Sequence, residues 1–440
     1  MEHTINLFGA YLSNGDLVFE ISGDLPTLSF RSEGKIELNI NDKRVIWKKN
    51  DVMFPSGFMV GNGRGLLAAI FSFHPTLSAI GSTMELGLES DSENQERVTV
   101  KTNLEINESI KKLLSNKWML PKIDWIQDDV ILKDSLTSSQ NPIQSLAYGG
   151  GLDSGAAIAM FGEYTTPYHI VTIDSDVRKG TLDILKLYNG CVCESNLKLI
   201  YSISGFPHWC CPYIPALLSG STSCSTGTIL ESQFTQDGKE YRDTRNNLWL
   251  GAMRMTGLIP TPIYFHSEFT NAKIVVFQGL QNKVAGNCIE EWGYSKKALR
   301  KAIILSSFDD TFFDFIDLIE EYGIILNPGP IYNQDAAHIS SLTMAASLIK
   351  NPSHSKSVNN LQSITGFVNN SWAVKAHPEG LEEMPIDIKE AILETRKKIG
   401  IEVMTKGDIE LLTKYEYQKY WLGETKRKFK NPHNIRRGSG

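Results

Sequence analysis

The stretch that decides the fold is "QSLAYGGGLDSGAAIAMF", Gln144 to Phe161. A short apolar run leads into three consecutive glycines, then Leu-Asp-Ser, then an alanine-rich segment with helical character. Strand, glycine turn and helix in that order aim backbone amides at an anion. Glycine removes the Cβ atoms, so the main chain can approach a phosphate closely. The helix adds its free N–H groups and the positive end of its dipole. The expected turn is Gly149, Gly150 and Gly151, with Leu152, Asp153 and Ser154 opening the helix. A serine at a helix N-terminus can cap it and can also touch phosphate.

The loop lacks the Gly-Lys-Ser/Thr ending of a Walker loop and the Gly-x-Gly-x-x-Gly spacing of a dinucleotide site. It resembles the PP-loop, Ser-Gly-Gly-x-Asp-Ser, of the N-type ATP pyrophosphatases. Gly150, Gly151, Asp153 and Ser154 match that pattern, and Gly149 stands where the family has serine. The resemblance implies ATP as cosubstrate and Mg2+ bridging its phosphates. It also implies adenylation: a substrate oxygen attacks the α-phosphate, pyrophosphate leaves, and a nucleophile displaces AMP.

Outward from the loop, "YHIVTIDSD" reads as a second strand ending in Asp174, Ser175 and Asp176. In open α/β sheets ligands bind at that carboxyl edge. The resemblance places Asp174 near adenine and ribose; an exposed loop acid is the plain alternative. Strands alternating with helices from about residue 141 to 302 argue for a parallel sheet covered by helices.

Downstream, "SGFPHWCCPYIPALL", "STGTILESQF", "GKEYRDTRNNLW" and "HSEF" are similar in order to segments of a bacterial PP-loop family. That family is itself similar to 7-cyano-7-deazaguanine synthase, which activates a carboxylate with ATP and adds ammonia to make a nitrile. Its members carry a cysteine cluster that reads as a zinc site. Here the matching segment is "NCIEEWGYSKKALRKA"; Cys288, Trp292, Arg300 and Lys301 remain, but the other cysteines do not. No protein-held metal is therefore expected.

Other candidates follow from residue type and place. Gly227 opens Gly-Thr-x-Leu-Glu-Ser and joins the nucleotide-binding set. Glu231 could hold magnesium or recognise an amine, or it could be an acid favoured by a helix N-terminus. Arg242, beside Asp243 and Arg245, suits a phosphate or a substrate carboxylate. Ser267-Glu268 follows the expected strand "TPIYF" toward the same edge. Lys297, Arg300 and Lys301 share a helix face, and Lys297 is taken as the candidate to stabilise charge on the transferring phosphate. A solvated basic face is the alternative. Cys210 and Cys211, flanked by aromatic residues, read as packing rather than as sulfur carriers.

On either side the pattern changes. Residues 1–140 read as a β-rich domain, from runs such as "DLVFEIS", "TLSFRS", "KIELNIN", "RVIWKK" and "RVTVKTN". "LEINESIKKLLSNKW" reads as an amphipathic helix within it. Residues 303–440 read as helical, with "SSFDDTFFDFIDLIEEYG", "NQDAAHISSLTMAASLIKN" and "DIKEAILETRKKIG" ahead of a basic tail.

Composition is that of an ordinary globular protein: 41% hydrophobic and 21% charged over 440 residues, with a net charge of -6. That charge gives no reason to expect nucleic acid as a partner. The start has no leader-like basic and apolar regions, and no apolar run is long enough to span a bilayer. Six scattered cysteines suit reduced thiols, so the expected compartment is the cytoplasm.

The expected protein is an α/β enzyme with a parallel-sheet PP-loop domain of the adenine nucleotide alpha hydrolase-like type. It adenylates a carboxylate or amide-like oxygen of a small molecule for attack by an amine or ammonia, with a protein as a further possible nucleophile donor. Two alternatives stand beside it: a catalytically reduced nucleotide-binding or assembly protein, suggested by Gly149, and a tRNA-modifying PP-loop enzyme, suggested by the basic tail.

Overall fold

The computed structural model describes residues 2–11, 17–23, 28–32, 34–38, 43–48, 97–103, 122–127, 143–171, 175–195, 213, 215–216, 219, 221–231, 258–286, 296–312, 339–349, 359 and 371–413. The architecture is α/β. In the N-terminal part the strands are β1 (Glu2–Tyr11), β2 (Leu17–Gly23), β3 (Leu28–Ser32), β4 (Gly34–Leu38), β5 (Lys43–Lys48), β6 (Arg97–Thr102) and β7 (Lys122–Gln127). Then come β8 (Gln144–Ala147), β9 (Thr166–Val171), β10 (Cys191–Ser195), β11 (Ser223–Thr226) and β12 (Ile259–Pro262).

The last five of these are all parallel and lie in the order β12-β11-β8-β9-β10. From β8 the chain winds outward through β9 and β10, then returns to the other side of β8 as β11. Strand order therefore reverses between β8 and β11, which is where an open α/β sheet leaves a crevice at its carboxyl edge. Both faces are covered, and all four residues of β11 are buried. That is why the short strands "CVCES" and "SCST" show no polar-apolar alternation.

Beyond β10 the sheet continues. β10 pairs antiparallel with β5 through Glu194–Lys48 and Ser195–Trp47, and β2, β1, β6 and β7 extend it to ten strands. β3 and β4 form a separate antiparallel pair. The expected amphipathic helix at 104–118 lies outside the described residues.

Seven α-helices are described: α1 (Leu152–Phe161), α2 (Lys179–Leu187), α3 (Glu268–Phe277), α4 (Lys296–Ser306), α5 (Ile339–Leu348), α6 (Ile386–Ile399) and α7 (Lys406–Thr413). Helix α1 is buried nearly all round; of its ten residues only Asp153 is not fully enclosed. A helix apolar on every side belongs inside a core. Its small residues let neighbours approach closely: a Cβ on Gly155 would stand 2.9 Å from both methyls of Val284. The core around it includes Phe265, Phe269 and Ile274 and continues through Ile303 of α4 and Ala345 of α5 to Ile388 and Ile392 of α6. Helix α6 ends at Gly400, whose φ of 65° is the left-handed cap conformation that glycine adopts without strain. No helix among the described residues is long and apolar enough to cross a membrane.

Candidate functional site

The glycine turn sits at the carboxyl end of β8. Tyr148 N–H still bonds across to Tyr168 O at 2.8 Å, and then the chain leaves the sheet. Gly150 has φ +74°, and a Cβ there would stand 2.8 Å from Thr181 Oγ1. Both facts require glycine at that position. Ser154 braces the turn from within: its Oγ accepts from Gly149 N–H at 3.1 Å and donates to Gly151 O at 3.3 Å. The first helical bond of α1 runs from Gly155 N–H to Gly151 O. Gly151 is the N-cap and brings no side-chain cap, so the leading N–H groups of Leu152, Asp153 and Ser154 are left to whatever approaches them. Leu152 itself is fully buried, so what it offers a ligand is its backbone.

The N-terminus of α3 is closed instead. Ser267 Oγ accepts from Thr270 N–H at 3.0 Å, and Ser341 Oγ accepts from Phe269 N–H at 3.0 Å. The Glu231 carboxylate accepts from Glu268 N–H at 3.3 and 3.2 Å, and Ser341 Oγ donates to Glu231 Oε1. Thr270 Oγ1 donates to Ala373 O at 2.8 Å, and Ser267 Oγ donates to the same carbonyl. Glu231 thus caps a helix from outside it. Burial pushes its carboxyl up to about 8, against the pull of the Ser341 and Glu268 hydrogen bonds, and the Glu268 charge adds to the rise.

Two further groups reach the start of α1. Lys301 of α4 is 2% exposed, and its Nζ would lie 3.6 Å from a Cβ on Gly151. That ammonium stands 3.8 Å from Glu268 Oε1, and among the described residues nothing accepts a hydrogen bond from it. Asn271, fully buried one turn beyond Glu268 on α3, donates through Nδ2 to Asp153 Oδ1 at 3.1 Å.

Gly227, just after β11, completes the corner. A Cβ there would fall 2.3 Å from Ser154 N and 2.5 Å from Ser154 Cα, so the two loops at the switch point touch main chain to main chain. Gly149 is different, since a Cβ there would meet only Ser154 Oγ at 3.8 Å, an ordinary contact. Gly227→Ala is expected to lose about 1–3 kcal/mol through overpacking. Gly149→Ser is expected to change stability by no more than about 0.5 kcal/mol. Thermal unfolding of both proteins measures the contrast; equal melting temperatures would mean that the close approach at Gly227 is not a constraint.

The other expected site residues divide as follows. Asp174 and Arg242 lie outside the described residues. Lys297 is in the first turn of α4, one turn before Lys301, and its side chain is outside the described set. Ser175 and Asp176 are exposed. Cys210, Cys211 and Cys288 are not described, while Cys191, Cys193 and Cys224 are buried free thiols. Burial pushes the Cys193 thiol well up and Cys224 to about 12, which disfavours thiolate chemistry at both. Among the described residues there is no group of three or more His, Cys, Asp or Glu that could hold a metal.

Sequence reasoning put Lys301 in a basic face without singling it out, and it had no signal for Asn271 or Ser341. It also had none for the buried pair behind the β12 edge. There Arg396 Nε donates to His266 Nε2 at 3.0 Å, and the guanidinium carbon lies 4.7 Å over the Phe265 ring. Burial, with the nearby Arg396 charge, holds His266 well below its usual value and keeps it neutral.

No protein-family model, curated protein or solved structure matches the chain.

Proposed function

We propose that the chain is an ATP-dependent adenylating synthetase of PP-loop type. The observation that carries this reading is a cationic corner whose counter-charge among the described residues, Glu268, stands 3.8 Å from the Lys301 ammonium and beyond hydrogen-bond reach. The uncapped start of α1 lies behind a three-glycine turn at the switch point, with the buried Lys301 ammonium beside Gly151. A buried cation with no hydrogen-bond acceptor is costly unless an anionic ligand supplies one. A triphosphate has the charge and the acceptor oxygens to do so.

In this reading the N–H groups of Leu152, Asp153 and Ser154 and the Lys301 ammonium hold phosphate oxygens. A carboxylate oxygen of the substrate forms a bond to the α-phosphorus as the bond to pyrophosphate breaks. An amine or ammonia then attacks the acyl carbon and AMP leaves. Positioning and charge stabilisation carry such a reaction, so little acid–base chemistry is asked of the protein. Magnesium fits the donor set, because Asp153 keeps a carboxylate oxygen not used by Asn271; when bound with the triphosphate it would neutralise phosphate charge.

The test is AMP and pyrophosphate release from ATP with Mg2+, against a panel of carboxylates that includes 7-carboxy-7-deazaguanine. Acid-dependent release that is lost in Asp153→Ala supports the synthetase. Binding of ATP without release on any acid favours the nucleotide-binding or assembly reading that Gly149 suggests. Absence of ATP binding refutes both.

A further inference from the structure

Helix α3 is fixed at its first turn by Glu231, Ser267 and Ser341, and by the two bonds to Ala373 O. Residues three apart on a helix lie on one face. From this anchored turn Glu268 and Asn271 address two different helices. Glu268 Oε1 stands 3.8 Å from the Lys301 ammonium of α4, and Asn271 Nδ2 holds Asp153 Oδ1 of α1 at 3.1 Å. Both α3 residues are fully buried. Both partners meet at the start of α1: Lys301 of α4 lies beside Gly151, and Asp153 is in the first turn of α1.

Chemistry orients the Asn271 amide. A carboxylate accepts only, so Nδ2 must face Asp153, and that leaves Asn271 Oδ1 as a buried acceptor without a donor. A side chain kept in that state is explained by what its other end does. Among the described residues no donor reaches the second Asp153 oxygen.

We propose that Glu268 and Asn271 are positioning residues of the phosphate site: Glu268 holds the Lys301 ammonium at Gly151, and Asn271 fixes one Asp153 oxygen so that the other is free for the magnesium–phosphate ligand. This rests on the synthetase reading. Neither residue touches the nucleotide; each acts through its partner. A lysine has four rotatable bonds and a compact charge, so an unsupported ammonium would sample many positions. A buried carboxylate carried on an anchored helix turn limits that freedom before the ligand arrives.

The test is calorimetric binding of α,β-methylene-ATP, with double-mutant cycles. Asn271→Ala is expected to weaken binding about tenfold at limiting magnesium, the scale of one hydrogen bond to a charged group. The deficit should shrink as magnesium is raised to saturation, which a general loosening of the fold would not produce. On an Asp153→Asn background the Asn271 change should cost less than about twofold, because the residue it acts through is already disabled. Glu268→Gln is expected to weaken binding about tenfold, and to add nothing on a Lys301→Met background. Thermal unfolding checks each protein, and Asn271→Ser replaces Asn271→Ala if the latter does not fold. Additive losses in both cycles, or an Asn271 deficit independent of magnesium, would overturn the proposal while leaving the synthetase reading intact. Failure of the wild-type protein to bind the analogue would instead remove the reading itself.

Discussion

Lys301→Met is expected to slow acid-dependent AMP release by about 10²–10³-fold, the cost of losing one preorganised donor to developing charge. Methionine keeps much of the buried stem and removes the ammonium, so packing beside Gly151 is largely retained. The difficulty is Glu268, whose carboxylate stands 3.8 Å from the lysine and is equally buried. Breaking a buried pair from one side typically costs about 3–5 kcal/mol, because the other charge is left without its partner. The double variant Lys301→Met/Glu268→Gln separates the two effects. It should recover most of the melting temperature lost by Lys301→Met and none of the lost turnover. Lys301→Arg, which keeps the charge with a different geometry, should fall between wild type and methionine. Turnover within about threefold of wild type in the double variant would exclude Lys301 from the reacting site, since a single preorganised donor is worth far more than that.

The glycine turn was the most legible feature because everything it needs is local. Gly150 adopts a positive φ, Gly151 begins a helix, and the apolar runs before and after have the lengths of a strand and a helix. Helix α6 was legible for the same reason: its periodic pattern stops at a glycine that does cap it. The strands β10 and β11 were not, since burial on both faces erases the alternation that marks a half-exposed strand. Nor could sequence reveal that β5 joins β10, because the residue pairs Glu194–Lys48 and Ser195–Trp47 lie 146 and 148 positions apart and leave no local signature. The site shows the same division. Gly149 to Ser154 are contiguous, whereas Asn271 lies 118 positions from Asp153 and Ser341 lies 110 from Glu231. Lys297 and Lys301 differ by one helical turn, and only the packing of α4 sets Lys301 beside Gly151. Gly227 was read as a nucleotide contact; its close approach to the Ser154 backbone gives it a packing requirement that residue type alone does not disclose.

Glu231 should make the fold less stable as pH rises from about 4.5 to 8. Its carboxyl has an ordinary value of 4.5 and is pushed up to about 8 by burial, so between those limits the folded protein holds a proton that the unfolded chain releases. Stability from this group is fully present below the unfolded value and is lost as pH rises through the folded one, at about 1.4 kcal/mol per pH unit for a single site. Other titrating groups bend the same curve, so the informative quantity is wild type minus Glu231→Gln. Glutamine imitates the protonated acid: its carbonyl can accept from Glu268 N–H, and its amide can donate to Ser341 Oγ. The two proteins should melt together near pH 5, and the glutamine variant should become the more stable by about 3 kcal/mol near pH 8. A constant difference across that range would mean that Glu231 is ionised throughout, with its hydrogen bonds to Ser341 and Glu268 N–H outweighing burial. The consequence reaches the corner at the glycine turn, because this carboxyl closes the end of the helix from which Glu268 and Asn271 address Lys301 and Asp153. Ionising it puts a second buried negative charge beside Glu268, the residue that faces the lysine, so in wild type stability should fall between about pH 4.5 and 8 and nucleotide affinity should fall only as pH passes about 8, and Glu231→Gln should remove both changes.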